Sequence, residues 1–96
     1  MGFSPQQIKE VVDGYVVSVD DHDYVLECRG GTIVLPQGLP RGFYCTIVMI
    51  GDTDVVIDPQ FSNLHTATGA STLTAIWQSV VIYSRAPNDY VGLGMP

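Results

Sequence analysis

The stretch Thr32–Asp58 reads TIVLPQGLPRGFYCTIVMIGDTDVVID. An apolar run halts at Pro36, two Pro/Gly turns follow, and a second apolar run from Phe43 to Ile50 resumes before breaking at Gly51-Asp52-Thr53. Val, Ile, Tyr, Phe and Thr crowd these runs. Such side chains suit a pleated surface, and the Gly and Pro residues punctuate it. Pro36 has no N–H to give a ladder and ends the first strand. Pro36 and Pro40 each preset φ for the second position of a β-turn, and Gly38 and Gly42 follow where a missing side chain helps. Leu39 is the one large apolar residue between the turns and is expected to point inward. Phe43 opens the next strand as a bulky anchor. Pro36, Gly38, Leu39, Pro40, Gly42 and Phe43 are therefore read as a rigid structural corner.

Outward from this corner the chain continues as strand and turn. Residues 15–19 and 24–28 flank Asp20-Asp21-His22-Asp23, which reads as a hairpin with a solvated acidic tip. Residues 43–50 and 54–58 flank a second hairpin, with Gly51 supplying the positive φ of its turn. A weak Ser/Thr-rich stretch follows Pro59. A strong run from Ile76 to Ser84 and a short one from Asp89 to Gly94 then flank the Ala86-Pro87-Asn88 turn. Turn signals at this spacing predict an all-β protein: a small antiparallel β-sandwich or barrel of about seven strands. One β-domain is expected over residues 14–96. Residues 1–13 are read as a short helix or arm, because Ser4 can cap, Pro5 suits the first helical position, and Ile8, Val11 and Val12 fall at helical spacing.

Composition narrows the function. The 96 residues are 46% hydrophobic and 15% charged, with a formal charge of −6 and four basic side chains other than histidine. One domain is all that length allows, and a domain this small has little room to hide excess apolar surface. Without a basic stripe there is no electrostatic footprint for nucleic acid, and none for an anionic membrane surface. No apolar segment reaches the roughly 18 residues of a spanning helix. Cys28 and Cys45 sit in strand-like runs and not in a CxxC pair, which favours two small buried hydrophobes; a disulfide between neighbouring strands is the alternative.

No catalytic, metal or cofactor site is expected. The Asp20–Asp23 cluster lacks the spacing of a calcium loop, and its side chains would splay into water. No Gly-x-Ser-x-Gly elbow accompanies His22 or His65, and Gly30-Gly31 is followed by neither a helix nor a lysine. The aromatic residues Tyr15, Tyr24, Tyr44, Trp77, Tyr83 and Tyr90 are spread over different strands, which suits core or interface use better than a sugar-binding row.

Residues 43–50 and 80–83 are apolar on both faces. Strands of that kind are covered on both sides, and in a two-layer domain of this size the second cover is expected to be another subunit. Tyr44, Val48, Ile50, Val81 and Tyr83, together with Phe3, Ile8, Val11 and Val12 of the N-terminal segment, are the candidate oligomer or docking interface.

The corner and its flanking strands resemble a small β-module that recurs in tailed-bacteriophage virion proteins, at fibre tips and on other surface proteins. The matching residues are Thr32–Pro36, Gly38–Phe43, Thr46–Gly51 and Val55–Ile57. The segment from Ala67 to Ala75 is similar in composition, and Ser79–Gly94 in layout, with Tyr90 where the module often has Trp. Residues 1–28 lie outside it. The resemblance implies a structural virion protein without catalytic residues. The module fills most of the chain, which favours a capsid decoration (cement) protein: a homotrimer on the outer capsid surface, bound to the major capsid protein and assembled in the host cytoplasm. The alternative is a tail, baseplate or fibre component that binds a receptor glycan.

Overall fold

The computed structural model describes residues 6–96. It is all-β, with two facing sheets built from ten short strands. In chain order these are β1 (Gln7–Val11), β2 (Tyr15–Val16), β3 (Tyr24–Cys28), β4 (Gly31–Val34), β5 (Tyr44–Met49), β6 (Val55–Asp58), β7 (Asn63–Thr66), β8 (Thr72–Leu73), β9 (Ser79–Ala86) and β10 (Asp89–Leu93). The six-stranded sheet runs β1-β3-β5-β9-β10-β7 and the four-stranded sheet β2-β4-β6-β8.

The two-sheet all-β architecture is as expected, but its course is not the antiparallel one. From β1 to β6 the chain alternates between the sheets, so that β1, β3 and β5 lie parallel in one and β2, β4 and β6 parallel in the other. Parallel neighbours need a long return path. Here a strand of the opposite sheet supplies it, and the chain winds as a flattened coil. The first winding is 17 residues long (Ile8 beside Val25) and the second 21 (Val25 beside Thr46). The second is longer because it carries the Pro36–Gly42 corner. Antiparallel β9 then closes the coil against β5, and β8 against β6.

Both proposed hairpins are therefore corrected to arches. β2 and β3 belong to different sheets, as do β5 and β6. Gly51 does not have the positive φ expected of a tight hairpin turn. It is needed for close approach, since a Cβ there would meet the Arg29 carbonyl oxygen. The N-terminal helix is likewise corrected: Gln7–Val11 is a strand with a full parallel register on β3. Val11 is buried in the core while Ile8 faces out, an alternation of period two. The β9–β10 pair around Pro87-Asn88 is the hairpin that the sequence indicates.

Between the sheets lies one apolar cluster. Leu26, Cys28, Cys45, Ile47, Met49, Val80, Ile82 and Tyr90 come from the large sheet, and Ile33, Val55, Ile57 and Leu73 from the small one. Leu35, Leu39, Phe43 and Met95, outside the strands, belong to the same cluster. Both cysteines are buried and free, and burial pushes the Cys45 thiol up to about 12.

Candidate interaction surface

The corner is fixed from the opposite hairpin. Gly38 and Gly42 have φ of +88° and +92°, the left-handed region that glycine enters at little cost. Leu39 and Phe43 are buried. The Gly38 N–H donates to Asn88 Oδ1 (2.9 Å) and the Gly42 N–H to the Ser84 carbonyl (2.9 Å). The hydroxyl of buried Ser84 sits between the Leu39 and Ala86 carbonyls at 3.0 and 2.9 Å, and the Tyr90 hydroxyl donates to the Pro36 carbonyl. Pro/Gly turns at 36–42 are thus clamped by residues more than 40 positions further along the chain.

A second clamp sits in the Asp20–Asp23 segment, whose sequence indicates a solvated tip. Asp21 lies in a single 3-10 turn, Val19–Asp21, and is buried instead of solvated. Its Oδ2 accepts from the Tyr15 hydroxyl (2.7 Å) and the Ser18 N–H (2.9 Å), while Lys9 Nζ stands 2.7 Å from Oδ1. The Lys9 ammonium also lies 5.1 and 5.4 Å from the Tyr15 and Tyr24 ring centres. Burial pushes the Asp21 carboxyl up, yet hydrogen bonds from Lys9, Ser18 and Tyr15 outweigh it and hold the group below its ordinary value. The hydrogen bond to Asp21 raises the lysine. The other members of the tip go elsewhere: His22 Nδ1 accepts from the Tyr44 N–H (3.2 Å), and Asp23 Oδ1 accepts from Gln6 (3.5 Å). Among the described residues no group of three or more His, Cys, Asp or Glu side chains is placed to hold a metal ion.

The outer face of the six-stranded sheet carries the candidate interface. Register places Ile8, Val25, Thr46, Val81 and Leu93 in one row across five strands. Tyr44, Tyr83, Val91 and His65 form a second, and Glu10, Glu27, Val48 and Ser79 a third. Tyr44, Val48, Val81 and Tyr83 therefore share one half-exposed face with Ile8. Ile50 lies just past the end of β5. Val12 is exposed in the β1–β2 link, Val11 is core and belongs to no outer surface, and Phe3 lies outside the described residues. The third row carries two carboxylates, Glu10 and Glu27, and at the β1 margin Arg29 pairs with Glu10 (3.1 Å). At the opposite margin Asp89 lies 2.6 Å from Arg85 and 2.7 Å from His65. Hydrogen bonding from Arg85 comes first among the causes that lower the Asp89 carboxyl, partial burial opposes it, and His65 adds to the lowering.

Sequence reading missed the turn before β9. Residues 76–78 continue the apolar run by pattern, but the strand begins at Ser79. Ile76 and Trp77 project from a turn and are exposed. The Trp77 N–H donates to the Met49 carbonyl (2.8 Å), and Gln78 Oε1 accepts from the N–H groups of Thr74 and Ala75 (2.7 and 3.0 Å). Gln78, polar inside an apolar run, was the available signal. Among the described residues, cavities open on the surface at two places that bear on binding. One, of about 400 Å³, is lined by Asp13, Arg29, Gly30, Gly31 and Thr53; the other, of about 370 Å³, lies beside β10 and is walled mainly by apolar groups.

No family model, curated protein or solved structure matches the chain.

Proposed function

We propose that this chain is a structural virion protein of a tailed phage: a homotrimeric capsid decoration protein that binds the major capsid protein on the outer shell surface. The observation that carries the reading is the Thr32–Phe43 corner, whose motif resembles the phage module and whose turns are clamped by Ser84, Asn88 and Tyr90. A corner pinned from a distant hairpin is a rigid frame. Two of the three rows on the large sheet, Ile8, Val25, Thr46, Val81 and Leu93 in one and Tyr44, Tyr83 and Val91 in the other, carry no carboxylate or ammonium group and give that frame a face for neighbouring protein, in keeping with the depletion of charge at interface cores. Such a protein works by burying surface between subunits, with no bond made or broken.

Binding of the purified protein to phage shells tests this. Many copies per particle, saturating on the shell, are expected. A few copies restricted to the tail would favour the fibre or baseplate reading, and saturable binding of a free glycan would favour receptor recognition. No association with any particle would refute the proposal.

A further inference from the structure

We infer that Trp77 of one copy inserts into the apolar cavity beside β10 of a second copy, an inference that deepens the self-association in the proposed function and rests on it. Trp77 is the only tryptophan of the chain, is 69% exposed, and has a φ of +73°. A bulky side chain in the left-handed region is a strained outlier, and strain of this kind persists where the surrounding structure enforces it and tends to mark functional surfaces. Here the Met49 carbonyl and the Gln78 side chain enforce it. Glycine would fit the backbone better. The position instead holds the residue type that most often anchors protein interfaces, with exposed Ile76 beside it.

The cavity offers a matching socket. Ala67, Val91, Leu93 and Met95 supply apolar wall, and its volume of about 370 Å³ is at the small end of binding pockets. Trp77 of the same chain is not among its lining residues. Val91 and Leu93 also belong to the outer rows of the large sheet, so an inserted indole extends that face. A six-stranded face of five-residue strands covers roughly 400 Å² at standard strand spacings. A buried tryptophan adds roughly 150–250 Å². Together these exceed the roughly 500 Å² per partner that marks a biological interface. A knob meeting a socket elsewhere on the same surface is a head-to-tail contact, which closes into a ring such as a trimer when the rotation between copies allows.

The lone tryptophan reports directly. In the full-length protein, dilution from micromolar to nanomolar concentration should shift the emission from a buried to a solvent-exposed indole, in step with loss of oligomer mass by sedimentation. Trp77→Gly removes the knob and the strain together. It should sediment as a monomer at concentrations where the parent associates, and should melt no lower than the parent when both are dilute. Leu93→Glu, at an exposed socket position, should also be monomeric, with a solvent-exposed indole. Mixing the two variants leaves one intact knob and one intact socket, and should restore a heterodimer with blue-shifted emission. Ala67→Glu replaces Leu93→Glu if circular dichroism shows that the latter is misfolded. An oligomeric parent with an exposed indole, or an oligomeric Trp77→Gly variant, overturns this contact and leaves self-association standing. A parent that is monomeric throughout overturns both.

Discussion

Replacing Asp21 with Ala should destabilise the protein more than any other single change to a charged residue. The carboxylate is fully buried and takes three donors: the Tyr15 hydroxyl, the Ser18 N–H and the Lys9 ammonium. Hydrogen bonds to a charged group contribute about 1.5–3 kcal/mol each. The Lys9 side chain is 40% exposed and can return to water, so its share falls to about 1 kcal/mol or less. Removing the buried charge refunds part of the total, leaving a loss of about 2–4 kcal/mol. In a domain of this size that lowers Tm by roughly 10–25 °C. The pH dependence has a definite sign. A carboxyl whose folded pKa is lowered stabilises the fold above its unfolded value of about 3.9, and that contribution fades as pH falls through the folded value. Parent and variant should thus differ most at pH 6–7, and the difference should shrink as pH falls below about 3.9. Lysine, raised in the fold, keeps its contribution throughout that range and loses it only in strong alkali. Thermal melts by circular dichroism from pH 2 to 8 provide the test. A difference below about 3 °C at neutral pH, or one that does not shrink in acid, would refute the clamp.

Leu39→Ala should cost about 2–5 kcal/mol in chemical denaturation, because it empties a buried site under the corner. Gly42→Val should cost about 1–2 kcal/mol from backbone strain alone, since nothing lies within 4 Å of a Cβ built there; variants that melt with the parent would remove the corner from the account of stability. Ser84→Val should cost about 1–3 kcal/mol by leaving the Leu39 and Ala86 carbonyls without their shared donor. Cys45, buried and with its thiol pushed up to about 12, should resist alkylation at pH 8 in the native protein and react within minutes in denaturant; fast native labelling would show that the centre of the large sheet opens.

How much of this was legible beforehand differs from element to element. Strand-forming runs, the corner and the burial of Leu39 and Phe43 follow from local chemistry, because Pro and Gly restrict the backbone wherever they occur. The arches do not. A short glycine-containing link such as Ile50–Asp54 can join two strands of one sheet or turn the chain into the facing sheet, and only the partners chosen by β9 and β4 decide. Gln7–Val11 carries a double message for a related reason. Ile8, Val11 and Val12 fit a helix, while the strand reading puts Lys9 on the inner face, an implausible place until Asp21 is there to receive it. Gln7–Val11 is therefore part of the β-domain and not an arm beside it: deleting it would strip an edge strand and the core residue Val11. The outer-face residues follow from their two-sided apolar pattern, but the exposure of Leu93 and Trp77 does not, because neither stands out from its own apolar run.

The winding course has a consequence for how the molecule is made. β5 lies between a neighbour that precedes it in the chain, β3, and one that follows it by some 33 residues, as Ile47 opposite Val80 shows. During synthesis the first two windings can emerge from the ribosome with one side of β5 unpaired, an open apolar ladder at what becomes the middle of the sheet. Open strands of this kind are templates for unwanted pairing, and such distant contacts form slowly. Cys45 and Ile47 therefore stay at risk until β9 arrives, so a nascent chain that has released residues 1–78 from the ribosome is aggregation-prone, while one that has released β9 as well can cover the open side of β5.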